Sequence, residues 1–249
     1  MARIPKGVIN RLKTSAPKFK RVLKTAADRD VNESDTVTIV VDMLSGVFGF
    51  DKYEEITSEQ AVKSTYCDLA VKIDGSVQFL IEVKAIGLDL KENHLQQAVN
   101  YGANMGISWV VLTNGRHWDI HRIRFEKPIS NEHVCSFDFA EMMPSKLADQ
   151  EMLFLLCKEG LKSAAIKQYH EHVQVVNRYV LGALVASDPL LNMLRRELRK
   201  LSPGVKVTKE EIASLLPDVL KRDVIEHECA KKAKGRVQRA QRAAQRKKG

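Results

Sequence analysis

The stretch Thr65 to Lys84, TYCDLAVKIDGSVQFLIEVK, constrains the fold of this chain more than any other. Two runs of alternating apolar and polar residues flank Asp74-Gly75-Ser76, and Asp-Gly between such runs is a strong β-hairpin signal. On the second run Val77, Phe79, Ile81 and Val83 share one face, with Gln78, Leu80, Glu82 and Lys84 on the other. On the first run Cys67, Leu69, Val71 and Ile73 form the apolar set, opposite Asp68, Ala70 and Lys72. Parity then restricts the register, because a two-residue loop would pair apolar with polar positions and put one strand's hydrophobic set in water. The spacing therefore predicts a three-residue loop that pairs Ile73 with Val77 and Val71 with Phe79. Asp68 then stands opposite Glu82, with Lys84 two residues further along the same face. Opposed residues have Cβ atoms about 4.5 to 5.5 Å apart, so the two carboxylates converge. Such a pair needs a raised pKa on one member or a cation between the two, and hard oxygen ligands suit Mg²⁺ or Mn²⁺. The bland reading is that Glu-x-Lys and cross-strand charges also occur on ordinary solvated sheet faces.

The neighbouring segments predict a mixed sheet with helices packed on it. A helix begins at Asn32 or Ser34 as cap, with Val37, Val40, Val41, Leu44, Val47 and Phe48 at helical spacing. Glu33 and Asp35 lie in its first turn, where acids suit the helix dipole, and that is the ordinary role for Glu33. Tyr53 to Thr57 reads as a first strand. After the hairpin a helix is expected from about Lys91 to Met105, burying Leu95, Ala98, Val99 and Gly102. Asn93, His94, Gln97, Tyr101 and Asn104 gather on its opposite side, facing solvent or the mouth of the hairpin site. Ile107 to Leu112 suits a buried strand, and Asn114-Gly115 turns into another over Trp118 to Ile123. Beyond Pro128 the pattern becomes mainly helical. Asp188-Pro189 reads as N-cap and N1 of one helix, and Thr208 with Glu211 forms a capping box for the next.

Charge divides the chain further. The net charge is +9, yet residues 1–24 carry eight Lys or Arg without an acid and residues 231–249 carry nine without an acid. The body between them is acidic on balance, and basic arms of this kind meet polyanions such as nucleic acid or remain solvated tails. The first arm reads as a short helix bounded by Pro5 and Pro17, or as a segment that orders on a partner. The second reads as disordered when free. Four scattered cysteines without a C-x-x-C pair fit a reducing cytoplasm and exclude a zinc knuckle or disulfide framework. No apolar run approaches 18 residues, which argues against a membrane span or leader. His117 with His121 and His170 with His172 lack acidic or cysteine partners at ligand spacing and read as surface or packing histidines, and neither a P-loop nor a G-x-S-x-G elbow is present.

Glu33 in a first helix, Asp68, then Glu82-Val83-Lys84, Gln97-x-x-x-Tyr101 and Leu112-Thr113-Asn114-Gly115 follow one another in an order that resembles the PD-(D/E)xK nuclease superfamily. More narrowly, the stretch is similar to the nuclease domain at the N-terminus of type I restriction-enzyme motor subunits. Cys67 stands where that family usually has proline, and any translocation is expected to come from another chain. Over roughly residues 30 to 125 the resemblance implies an α/β, restriction-endonuclease-like mixed sheet flanked by helices, to which helical spacing and charge add an α-helical C-terminal appendage and basic arms. Together these readings divide the chain into an arm over 1–29, a nuclease core over 30–127, a mainly helical region over 128–228 and a tail over 229–249. The resemblance further implies that Asp68 and Glu82 hold Mg²⁺ or Mn²⁺, joined by Glu33 through the metal or its water, that Lys84 positions or deprotonates the attacking water and offsets charge, and that Gln97 and Tyr101 orient the site and contact the nucleic-acid backbone.

The expected function is therefore metal-dependent endonucleolytic hydrolysis of DNA in restriction or phage-related defence, with RNA left open by these residues. The alternative is a catalytically inert nucleic-acid-binding or assembly protein on a nuclease-like scaffold. Nucleic-acid contacts are expected from Lys231, Lys232, Lys234, Arg236, Arg239, Arg242, Arg246, Lys247 and Lys248. A homodimer and a motor or specificity subunit in trans are the expected protein partners.

Overall fold

A computed structural model describes residues 3–62 and 65–246 of the chain. They form two compact units, residues 1–169 and 170–249. The first unit is an α/β body built on one six-stranded sheet: β1 (Ile56–Val62), β2 (Thr65–Ile73), β3 (Ser76–Val83), β4 (Trp109–Thr113), β5 (His117–Arg124) and β6 (Ser130–Asp138). The strands lie side by side in chain order, and only the β3–β4 pair is parallel. A parallel pair needs a crossover, which α3 (Glu92–Met105) supplies. Helices cover both faces of the sheet. On one face α1 (Lys6–Asp28) and α2 (Glu33–Gly46) pack over Leu69, Val71, Phe79, Ile81 and Val83; on the other α3 packs over Ala70, Leu80, Val110 and Leu112. This mixed sheet between helices is consistent with a restriction-endonuclease-like fold.

The hairpin satisfies the parity argument by a different device. Asp74 and Gly75 both have positive φ, 50° and 76°, as a two-residue type I′ turn requires, and Ile73 pairs with Ser76. A bulge then makes Gln78 the extra residue of β3, so that Val71 meets Phe79 and Leu69 meets Ile81 as expected. A tight turn plus one bulged residue restores the parity that a three-residue loop would have given. Cys67 departs from its predicted face and joins the α3 side.

The N-terminal arm also differs from expectation. It is a single 23-residue helix running through Pro17, not a short one ending there. Val8, Leu12, Ala16, Phe19, Leu23 and Ala26 recur every three or four residues and are all buried, so a continuous apolar stripe outweighs one missing backbone hydrogen bond. The first strand begins at Ile56, three residues later than expected, because Asp51 Oδ1 accepts from the Tyr53 and Glu54 amides and holds them in a turn. β6 was not foreseen, its alternation being broken by Asn131, Glu132 and His133. α4 (Leu147–Phe154) and α5 (Lys158–Lys162) complete the first unit, and the boundary falls within α6 (Ala165–Val175).

The second unit is helical, with α7 (Arg178–Val185), α8 (Asp188–Leu201), α9 (Lys209–Val219), α10 (Arg222–Glu226) and α11 (Glu228–Arg246). The Thr208–Glu211 capping box is present, while Ser187, not Asp188, caps α8. The tail expected to be disordered is helix α11, whose Ala230, Ala233 and Val237 are buried, the last two packing against Val180 of α7. No helix among the described residues is long and apolar enough to cross a membrane.

Candidate active site

The site begins where β2 and β3 part. Their last paired residues are Leu69 and Ile81. Beyond that point side chains replace the ladder: the Asp68 carboxylate accepts from the Val83 N–H at 2.7 Å, and the Cys67 thiol donates to the Ile81 carbonyl at 3.1 Å. Asp68 thus lies at the level of Glu82, as the register expectation required. Burial pushes the Cys67 thiol up to about 12, with the nearby Glu82 and Asp68 charges adding to the effect, so it stays protonated.

Glu82 and Lys84 end β3 on the same side. Glu82 is only 4% exposed, and its Oε1 lies 2.9 Å from Lys84 Nζ. Its other oxygen, Oε2, is buried without a hydrogen-bond partner. Burial first, and the neighbouring Asp68 charge second, push the Glu82 carboxyl up to about 7 against the opposing pull of Lys84. Lys84 also lies 3.4 Å from Glu33 Oε2 at the start of α2. Burial alone would lower the Lys84 ammonium, but Glu82, Glu33 and Asp68 outweigh it and hold its pKa above the ordinary lysine value. Lys84 is therefore a fixed positive charge among three carboxylates.

Neighbouring backbone is tied down around this group. The Lys84 amide donates to the Thr113 carbonyl of β4 at 2.8 Å, which fixes the end of β3. Two residues later Ile86 donates its amide to Thr36 Oγ1 at 3.2 Å, and Thr36 donates to the Asn32 carbonyl at 2.8 Å. Asn32 in turn caps α2, accepting from the Asp35 amide. Glu33 thereby lies between the helix cap and Thr36, the residue that ties α2 to the segment following Lys84. From the other side Asn114 donates to the carbonyls of Ile86 and Leu88 at 3.3 and 2.9 Å, while its oxygen accepts from the Arg116 and His117 amides. Gly115, at φ 83°, lets Leu23 approach within 3.0 Å of where a Cβ would stand. The Asn114-Gly115 turn is thus a latch on the loop after Lys84 as well as a strand connection.

The expected residues separate into groups. Asp68, Glu82, Lys84 and Glu33 come together. Gln97 is exposed on α3, whereas Tyr101 is 1% exposed and packs with Cys67, Leu80 and Leu95 in the α3-side core, not on the polar face expected for it. Tyr101 follows Ala98 by three residues, only about 60° round the helix, so its broad aromatic ring joins the adjacent apolar stripe. Thr36 and Asn114 were missed as positioning residues. The available signal for Thr36 was a polar side chain in register with buried Val40, Met43 and Leu44. Of the basic tail residues, Lys232 pairs with Glu228 and Arg236 donates to the Gln174 carbonyl, while Lys231, Lys234, Arg239, Arg242 and Arg246 also lie on α11. Lys247 and Lys248 lie outside the described residues.

Carboxylates supply only oxygen, the donor type that suits a hard cation, and one buried oxygen, Glu82 Oε2, is unpartnered. Among the described residues no three His, Cys, Asp or Glu side chains close into a ready metal cage. The family described as the type I restriction enzyme R protein N terminus (HSDR_N) matches residues 39–134, less than half of the chain. That span holds Asp68, Glu82, Lys84, Gln97, Tyr101 and Asn114, and omits Glu33. No curated protein and no solved structure gives a significant match. Over the sheet and the crossover helix, the chain resembles the N-terminal domain of type I restriction-enzyme R proteins.

Proposed function

We propose that the first unit is a metal-dependent DNA endonuclease of the PD-(D/E)xK kind, acting in restriction or phage-related defence. The observation that carries this reading is Glu82 Oε2, a buried carboxylate oxygen left unpaired beside Asp68. Leaving such an atom unsatisfied costs about 1 to 3 kcal/mol, a cost that a bound cation removes. Asp68 and Glu82, joined by Glu33, would hold Mg²⁺ or Mn²⁺. When bound, such an ion lowers the pKa of its water and withdraws charge from a phosphoryl oxygen.

The chain's own residues do the rest. Lys84 keeps its proton and places positive charge where the pentavalent phosphate develops negative charge. It acts through electrostatics and not as a base, because its three carboxylate neighbours favour the ammonium form. Asp68, with Oδ2 fixed by the Val83 amide, presents its other oxygen in a set direction. Thr36, Asn114 and Tyr101 are positioning residues, and exposed Gln97 is available to the nucleic-acid backbone.

Nicking of supercoiled plasmid tests the reading. Cleavage is expected with Mg²⁺, to vanish with EDTA, and to fall by about 10²- to 10³-fold in Lys84→Met, the usual cost of removing one transition-state charge stabiliser. Equal cleavage in all three samples rejects this site. The absence of a three-ligand cage among the described residues favours a second reading, an inert DNA-binding scaffold in which Lys84 is the permanent counter-ion of Glu82. Under that reading Mg²⁺ leaves the melting temperature unchanged, and DNA binding is indifferent to Asp68→Ala.

A further inference from the structure

One flank of α1 carries Lys6, Lys13, Lys20 and Lys24, of which Lys20 is half-buried and the others exposed. Their spacing of seven, seven and four residues keeps them within about 40° of one another around a 3.6-residue helix. Lys18 and Arg21 lie further round the exposed surface, and Arg29 follows the helix end. Among the described residues only Arg11 of the basic side chains on α1 enters a salt bridge, with Glu159. The first acid in the chain is Asp28. The helix is held in place by six buried side chains, so these cations stand on a rigid element and not on a loose arm.

The row ends at the loop that follows Lys84. Lys20 and Lys24 line a cleft of about 560 Å³ whose opposite wall is Ile86, Gly87, Leu88 and Asp89, the loop that follows Lys84. Arg116 and His117 also line it, the former held by Asp138, and Asp28 and Asp89 bring two acids to it. We infer that α1 is the track on which the phosphate backbone of duplex DNA lies as it enters the site, with Lys6, Lys13, Lys20 and Lys24 as the phosphate contacts. The inference rests on the nuclease reading for its substrate, and it moves the main DNA contact from the C-terminal tail to the first helix. From Lys6 to Lys24 the axis rises about 27 Å, at roughly 1.5 Å per residue, which spans about eight base pairs at 3.4 Å each.

The chemistry favours a polyanion over the other occupants of a basic helix. Interfacial helices insert an apolar face into the bilayer, but the apolar face of α1 is already spent on the core. Protein interfaces centre on apolar and aromatic anchors, and the exposed positions from Asn10 to Thr25 are Asn10, Lys13, Thr14, Pro17, Lys18, Arg21, Lys24 and Thr25.

The experiment uses the full chain with Lys6, Lys13 and Lys24, all exposed, changed together to Gln and separately to Glu. Duplex affinity is read by fluorescence anisotropy in EDTA over a series of salt concentrations, with a thermal melt of each variant as the check on folding. The Gln variant should bind at least tenfold more weakly at low salt. Its slope of log K against log salt should be shallower by about 2 to 3, as expected for three lost phosphate contacts. The Glu variant should bind more weakly still. Unchanged affinity and slope overturn the inference, as does competition by anionic phospholipid vesicles that depends on the same lysines. Because binding is read without metal, loss of binding in these variants supports the track even if plasmid cleavage fails, and intact binding rejects it even if cleavage succeeds.

Discussion

Arg11 grips Glu159 with two guanidinium nitrogens, at 2.9 and 2.7 Å, and gives two further donors to the carbonyls of Val47 and Phe48. Lys84 touches Glu82 at 2.9 Å and Glu33 at 3.4 Å, yet one oxygen of Glu82 stays buried and unpaired. The first pair is complete. Its hydrogen bonds hold the Glu159 carboxyl below the usual carboxylate range and the Arg11 guanidinium above its own ordinary value. The second is crowded, with three carboxylates around one ammonium and Glu82 pushed in the opposite direction, up to about 7. A satisfied pair fastens α1 to the body of the first unit, whereas a crowded, part-satisfied pair holds free energy that only a further cation or a proton can release.

Three measurements would break or sharpen this contrast, beginning with the largest effect on stability. Glu82 has a folded-state pKa above its ordinary 4.5, so the folded chain binds more protons between pH 4.5 and about 7. Its contribution is complete below pH 4.5 and is lost as pH rises through about 7, a fall of about 3 kcal/mol if the shift is fully expressed. Glu82→Gln should remove that fall, so that the stability of the variant relative to the parent grows across this window in urea melts. Mg²⁺ should restore the parent at pH 8 and leave the variant unchanged. A difference that is flat with pH would mean that Glu82 is as satisfied as Glu159.

Arg11→Met comes next. It removes a bidentate ion pair and two hydrogen bonds to carbonyls at a half-buried site, which should cost about 2 kcal/mol after allowance for solvent. Glu159 contributes in the opposite sense to Glu82: its stabilisation is present above its ordinary pKa and lost on acidification. The loss in Arg11→Met should therefore be steady from pH 6 to 8 in denaturant titrations and shrink only in acid. A pH profile like that of Glu82→Gln would contradict the contrast.

The smallest effect belongs to Thr36→Val, which leaves the Ile86 amide without its acceptor at about 1 kcal/mol. If Thr36 positions Lys84, nicking should fall severalfold in kcat while the affinity for DNA in EDTA is unchanged. A loss confined to stability would leave Thr36 as packing alone.

Much of this was legible in local patterns, and the failures share a cause. Asp74-Gly75, the alternation on both sides of it and the Asn32 cap are short-range signals, and they placed the hairpin and α2 correctly. The bulge at Gln78 was hidden because either a longer loop or a tight turn with one extra residue satisfies the same parity. α1 and α11 read as tails because the neighbours that bury their apolar stripes lie far away in sequence. Tyr101 read as polar because its hydroxyl was weighed and its ring was not.

The sequence by itself determined which residues could share a strand face, because side-chain alternation is a property of the extended backbone alone. Only the tertiary structure decided that Glu33 would reach Lys84 across 51 positions, that Asn114 would latch the loop after Lys84, and that Glu82 would be left with a buried, unpaired oxygen. Burial and charge crowding arise only when distant segments close on one another, and no local pattern encodes them.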